Sequence, residues 1–258
     1  MMALYSATSA SSNRKKRRSR AASPRADHPA RPKEYRVAGI AVPDRRTRRT
    51  HWPYLPHAHE SFNHSKIDGL IRRANLRYPA ADLRRVDLVE ERGLDRAVLA
   101  QLATCSFIGR QQNVVFQGFT GSGKSYLGCA LAKQACQHRF RAHYIRMPDL
   151  EEAWALAKDR PQGQNKFLKK YAAFSLLVID EWLLDHPDET ISRMLLELLE
   201  RRYDTGSTVF CTQYPKKDWH QRLGSGVHAD AVMDRIVHNT LWIDTGTHNM
   251  REHAAASQ

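Results

Sequence analysis

Long hydrophobic runs are missing from this 258-residue sequence. No uninterrupted apolar stretch approaches the ~18 residues that a membrane-spanning helix needs, which excludes an integral membrane protein of helical type. Acidic residues are also scarce, with 27 Asp and Glu against 41 Lys and Arg, for a net charge of +14. The imbalance is local. Residues 1–60 hold 14 Lys and Arg and 4 acidic residues, an excess of +10, so only +4 remains for residues 61–258. The runs "NRKKRRSR" (Asn13 to Arg20) and "RRTRR" (Arg45 to Arg49) suit attraction to nucleic acid phosphates by counterion release, and equally suit a solvated arm. Cysteine is limited to Cys105, Cys129, Cys136 and Cys211, without a Cys-x-x-Cys pair, which excludes a disulfide framework and leaves reduced core residues. None of the 13 histidines stands at the His-Glu-x-x-His spacing of a zinc enzyme. A secretory h-region is absent. The Arg- and Ser-rich start has the composition of a transit peptide but no amphipathic stripe, so the expected location is cytoplasmic.

What is present divides the chain. Residues 1–60 are rich in Arg, Ser, Ala and Pro with no sustained apolar period, and are expected to form a disordered or low-complexity basic arm. In "FNHSKIDGLIRRANL" (Phe62 to Leu76), Ile67, Leu70, Ile71 and Ala74 fall at helical spacing between basic residues, giving a short basic helical linker over 61–92. "GLDRAVLAQLATCSFI" (Gly93 to Ile108) repeats the pattern. After it, short apolar strands alternate with helices: strands at 113–117, 142–146, 175–180, 207–212 and 241–244, and helices near 124–138, 149–158, 189–202 and 229–238. That alternation predicts an α/β fold with a parallel sheet flanked by helices. There is no internal repeat.

The stretch from Gly118 to Ser125, "GFTGSGKS", matches G-x-x-x-x-G-K-[ST] between a predicted strand and a predicted helix, the signature of a P-loop that holds a nucleoside triphosphate. Glycines at Gly118, Gly121 and Gly123 admit unusual torsions and keep side chains out of the way. The backbone from Gly118 through Phe119, Thr120, Gly121, Ser122 and Gly123 to Lys124, Ser125 and Tyr126 can then turn its N–H groups onto phosphates at a helix start. Lys124 would reach the β- and γ-phosphates, and the Ser125 hydroxyl would coordinate Mg²⁺. "LLVIDE" ends an apolar strand in Asp180, suited to Mg²⁺, and Glu181, suited to polarising an attacking water. Two carboxylates in tandem favour hydrolysis over transfer to an acceptor. "STVFCTQYP" ends in Thr212 and Gln213, and Gln213 is a candidate for sensing the γ-phosphate.

With these motifs in order, the chain from about Lys66 to Arg251 resembles the IstB-like ATP-binding proteins, AAA+ helper ATPases of insertion-sequence transposition, and more remotely the DnaC-type helicase loaders. The resemblance rests on "IDGLIRRANLRYP", "GLDRAVLAQLATCSFIGRQQNVVFQGFTGSGKS", "LLVIDE", "STVFCTQYPKKDWHQRL" and "ADAVMDRIVHNTLWID". The Trp219-His220 pair and "DRIVHN" are more specific than the phosphate loop. It implies an AAA+ ATPase domain over 93–258, ATP and Mg²⁺ as cofactors, a catalytic set of Lys124, Asp180, Glu181 and Gln213, and Arg235 acting on a neighbour's nucleotide in a head-to-tail homo-oligomer. Arg251 falls where the family keeps an arginine. It also implies a transposase as partner and double-stranded DNA as the platform, bound largely without sequence preference. The departure is at the front, where the family carries a helical domain and residues 1–60 show no such pattern.

For DNA phosphates the candidates are Arg72, Arg73 and Arg77 beside the basic helix, and Lys166, Lys169 and Lys170 in "NKFLKKY". The competing functions are a helicase-loader ATPase of the same fold, a P-loop small-molecule kinase, and a nucleic-acid-binding remnant that no longer hydrolyses ATP.

Overall fold

A computed structural model of the chain describes residues 35–37, 40–42, 55–86, 93–246 and 248–250. The chain divides into two units, Met1–Pro53 and Tyr54–Gln258. In the first, strand β1 (Tyr35–Val37) pairs antiparallel with β2 (Ile40–Val42). The sequence there alternates Tyr35, Val37 and then Ile40, Val42, a period of two too short to register against the surrounding Arg and Pro. The rest of the expected arm before Leu55 lies outside the described residues.

The second unit opens with helix α1 (Leu55–Arg73), whose first turns fall inside the segment assigned from sequence to the arm. The expected helix ran on to Leu76, but it stops at Arg73, and Asn75 adopts a left-handed conformation (φ 56°). The single apolar pattern over Gly93 to Ile108 splits into α2 (Arg96–Ala103) and α3 (Ser106–Gly109), because Cys105 sits at φ 55° between them. Asp95 caps α2, accepting a hydrogen bond from the Ala97 N–H at 2.7 Å.

Strands β3 (Asn113–Gln117), β4 (Ala142–Arg146), β5 (Leu176–Asp180), β6 (Ser207–Thr212) and β7 (Thr240–Asp244) form one sheet in the order β4-β5-β6-β3-β7, every neighbouring pair parallel. Helices α4 (Lys124–Gln137), α5 (Met147–Lys158), α6 (Gly163–Ala172), α7 (Glu189–Arg202), α8 (Lys216–Arg222) and α9 (Val227–Val237) connect them. Every residue of β5 and β6 is buried, as expected of strands covered on both faces. Alternate side chains divide between two cores: Val114, Phe116, Val178 and Val209 pack with α2 and α4, while Val115, Ile179 and Phe210 pack with residues of α5, α6, α7 and α9.

Helix α8 was not anticipated. It is short, follows Pro215, and buries one large side chain, Trp219, too little for a helical period to show. Trp219 packs at a tilt against Trp182 and Trp242 and donates its indole N–H to the Tyr214 carbonyl at 3.0 Å, while His220 pairs with Asp230 of α9 at 2.9 Å. The Trp-His motif therefore joins α8 to the core and to α9. All four cysteines are buried free thiols, and burial pushes Cys105 and Cys129 up to about 11. No helix among the described residues is long and apolar enough to cross a membrane.

Candidate functional site

In a parallel sheet all strands end on one edge, and the register brings the polar residues of this sequence to that edge. Gln117 stands opposite Thr212 and Asp244, and Arg146 opposite Asp180. The phosphate loop leaves β3, the carboxylates end β5, and β6 lies between them. At ~4.8 Å per strand, loop and carboxylates are ~10 Å apart, with Gln213 emerging from the strand between. Such a carboxyl edge is where open α/β sheets bind ligands.

The loop is held from behind. A Cβ on Gly118 would lie 2.2 Å from Thr245 Oγ1, and one on Gly121, whose φ is 90°, would lie 2.3 Å from Asn249 Oδ1, so neither position admits another residue without displacement. Buried Thr245 donates its hydroxyl to the Gln117 carbonyl at 3.0 Å, so Ser122 Oγ is the donor in the 2.6 Å contact with Thr245 Oγ1. The Met250 N–H donates to the Gly121 carbonyl at 3.0 Å. Thr245, Asn249 and Met250 were not singled out from the sequence. Nothing in "TGTHNM" has a chemical signature, and only the parallel pairing of β7 with β3 places it there. Arg251 lies outside the described residues.

In front, Lys124 Nζ donates to the carbonyls of Gly118 at 2.8 Å and Phe119 at 2.7 Å, so its charge sits over the mouth of the loop. Thr120 donates its hydroxyl to Gln213 Oε1 at 3.0 Å, and Gln213 Nε2 donates to the Tyr214 hydroxyl at 3.1 Å, fixing both ends of the amide. Phe119 is 65% exposed beside the loop. Two side chains of the expected phosphate-binding stretch face elsewhere: Ser122 turns to Thr245, and the Tyr126 hydroxyl accepts from the Asp82 N–H at 3.2 Å.

Asp180 is 2% exposed. Its Oδ2 accepts from the Tyr144 hydroxyl at 2.5 Å and its Oδ1 from the Glu181 N–H at 2.9 Å. Burial, reinforced by the adjacent Asp180 charge, pushes the Tyr144 hydroxyl far above the usual phenol range, so Tyr144 acts here as a donor. Glu181 stands at φ 59°, which turns its side chain out of the strand line, and its carboxylate meets Arg77 Nη1 at 3.3 Å and Arg146 Nη1 at 3.7 Å. Arg146 is itself paired with Asp149 at 2.5 Å.

Arg77, a candidate for DNA phosphates, also reaches the carboxylate edge. After the left-handed turn at Asn75 the chain runs along the outer edge of β4, where the Tyr144 N–H donates to the Ala74 carbonyl at 2.8 Å, and this carries Arg77 to Glu181. Arg72 and Arg73 are exposed at the end of α1, and Lys166, Lys169 and Lys170 are exposed on α6, with Lys170 Nζ 4.7 Å from the centre of the Tyr171 ring. Arg235 is remote from the loop. It pairs with Glu200 of α7, not with the Asp230 or Asp234 of its own helix, and lines a small cavity with Asn113 and Thr208 at the amino ends of β3 and β6.

The donor set fits the groups the motifs imply. A strand-to-helix loop with Gly118, Gly121 and Gly123 all at positive φ suits a phosphate chain, and the Ser125 hydroxyl with the Asp180 carboxylate offers hard oxygens of the kind Mg²⁺ takes, one or two from protein and the rest from phosphate and water.

A parallel sheet with a strand between the phosphate loop and the tandem carboxylates, flanked by helices on both faces, defines a P-loop ATPase of the AAA+ class. Within it, the chain belongs to the IstB-like ATP binding protein family, whose profile matches residues 55–257. It is 37% identical over 187 residues to the insertion sequence ATP-binding protein y4pL of Sinorhizobium fredii, covering 72% of this chain and 75% of that protein. To y4uH of the same organism it is 33% identical over 191 residues, covering 73% and 75%. Among solved structures it is similar to the DnaC helicase loader (TM-score 0.55, 19% identity, 66% of this chain and 98% of that one). It is also similar to AMPPCP-bound DnaA from Aquifex aeolicus (TM-score 0.57, 16% identity, 69% and 54%). At such identities the structural likeness shows the fold.

Proposed function

We propose that the chain is a Mg²⁺-dependent ATPase that assembles head to tail on double-stranded DNA, without marked sequence preference, and delivers or activates the transposase of an insertion sequence. The observation that carries this reading is the meeting of the phosphate loop with Asp180 and Glu181 at one sheet edge, in a chain whose relatives y4pL and y4uH are named for insertion sequences.

Lys124 exchanges the carbonyls of Gly118 and Phe119 for phosphate oxygens, and the loop N–H groups complete the cradle. Ser125 and Asp180 hold the metal, with Tyr144 orienting Asp180 from behind. Bound Mg²⁺ neutralises charge developing on the phosphates. Glu181, steadied by Arg77 and Arg146, takes a proton from the attacking water, and Gln213 orients that water or the γ-phosphate. Arg235 serves the next copy. It lies at the opposite end of a five-residue strand from its own loop, ~13 Å along the sheet, a distance that supports action on a neighbour's nucleotide over its own. The exposed Lys166, Lys169 and Lys170 of α6, with Arg72 and Arg73 of α1, supply phosphate contacts that salt weakens.

The test is ATP turnover with and without duplex DNA of several unrelated sequences, with the metal chelated as a control. Turnover that needs Mg²⁺, rises with every duplex and disappears in Lys124→Ala is expected. Turnover that no duplex changes would remove DNA from the reading, and unaltered ATP affinity in Lys124→Ala would remove the loop.

A further inference from the structure

The guanidinium of Arg235 is held at two of its three nitrogens. Its Nε donates to Glu200 Oε2 on α7, and its Nη1 donates to the Ala231 carbonyl one turn back in α9, at 2.9 Å. Among the described residues Nη2 has no hydrogen-bond partner, and Arg235 lines a cavity of about 80 Å³ together with Tyr203, Asp204 and Asn239. Of the five N–H groups of an arginine, two are engaged and the other three remain for an anion.

The helices do not need this pair to stay together. Leu195, Leu198 and Leu199 of α7 and Val232 and Ile236 of α9 are buried in the same core. Glu200 and Arg235 are 57% and 27% exposed, and ion pairs at such positions contribute little stability. What the carboxylate does supply is orientation. A free arginine samples many rotamers, and holding it in one geometry when the transition state forms costs rate. A carboxylate that already fixes Nε removes that cost, as the aspartate behind a catalytic imidazole does for a general base.

We propose that Glu200 is a positioning residue for the arginine that each copy offers to its neighbour: it holds Arg235 on α9 with Nη2 uncommitted, and so acts on an ATP it never touches. This rests on the reading of Arg235 given above.

Three variants test it in DNA-stimulated turnover. Glu200→Ala is expected to lower turnover roughly 10-fold to 100-fold, the usual effect of removing a group that orients a reacting side chain, with ATP affinity and melting temperature unchanged. Glu200→Gln, which keeps an acceptor for Nε, should recover part of the loss. Mixing locates the defect. A Lys124→Ala copy binds no ATP but carries an intact Glu200 and Arg235, so co-assembled with Glu200→Ala it should restore turnover in the Glu200→Ala pockets. Unchanged or raised turnover in Glu200→Ala alone overturns the proposal, a rise marking Glu200 as a restraint on Arg235. A loss that co-assembly on DNA does not relieve also overturns it, since the defect then lies in that copy's own pocket. Arg235→Ala separates the two levels. If it is inactive while Glu200→Ala is not, only the role of Glu200 fails; if Arg235→Ala turns over ATP normally, the role of Arg235 fails and that of Glu200 with it.

Discussion

At the carboxyl ends of the strands, polar groups from distant parts of the chain hold one another: Thr120 with Gln213, Ser122 with Thr245, Tyr144 with Asp180, and Arg77 with Glu181. At the amino ends, two arginines have opposite surroundings. Arg202 is buried, and its guanidinium is used up on the carbonyls of Tyr171, Ala172, Phe174 and Ser207 and the hydroxyl of Thr208. Burial lowers its pKa to about 10, because enclosure disfavours the charged form. Arg235, near the surface of the same end, keeps part of its guanidinium uncommitted. A fully satisfied buried charge is structural, whereas groups arranged around an opening, or left partly unspent at a surface, are available for chemistry.

The sharpest break in this contrast should come from Glu181→Gln, which keeps the shape of the carboxyl edge and removes its proton acceptor. Turnover should fall about 10²-fold to 10⁴-fold while ATP affinity, measured by calorimetry, holds. Turnover near that of the unaltered chain would take Glu181 out of the chemistry.

Next in size is the difference between the two arginines. Arg202→Leu leaves several buried carbonyls without a donor and should cost about 3–5 kcal/mol, which for a unit of this size lowers the melting temperature by roughly 10 °C. Arg235→Ala should cost less than about 1 kcal/mol by the same thermal scan. Equal losses would erase the distinction between a structural and a functional arginine.

The smallest effect is expected from Tyr144→Phe. It deletes one hydrogen bond to Asp180 without altering the ring packing, so the Mg²⁺ concentration for half-maximal turnover should rise about 3-fold to 10-fold, equivalent to ~1 kcal/mol. An unchanged metal requirement would show that the Glu181 N–H alone orients Asp180.

Much of this site was legible in the sequence because its chemistry is local. The cradle of Gly118, Gly121 and Gly123, the charge of Lys124 and the tandem Asp180-Glu181 each lie within a few residues, and spacing is what a linear reading detects. The strands were legible for a related reason: β3, β4 and β6 begin and end where the apolar runs do. Elements with little to bury were harder to see. Helix α8 hides one tryptophan, and the break at Cys105 interrupts an apolar period that continues on both sides of it.

Charges were read by neighbourhood and decided by partners. Arg72, Arg73 and Arg77 are all exposed, yet a left-handed residue at Asn75 turns the chain so that of these three Arg77 pairs with Glu181. Arg235 has Asp230 and Asp234 on its own helix, yet it pairs with Glu200 on α7. By itself, then, the sequence determined the class of fold, the glycine-rich loop and the tandem carboxylates that end β5, since periodicity and short motifs are properties of adjacent residues. Only the tertiary structure decided that Thr245 and Asn249 stand behind the loop, that Tyr144 holds Asp180, and that Glu200 holds Arg235. Those contacts depend on which strands and helices become neighbours, and that is settled by burying both faces of the sheet, not by any residue's place along the chain.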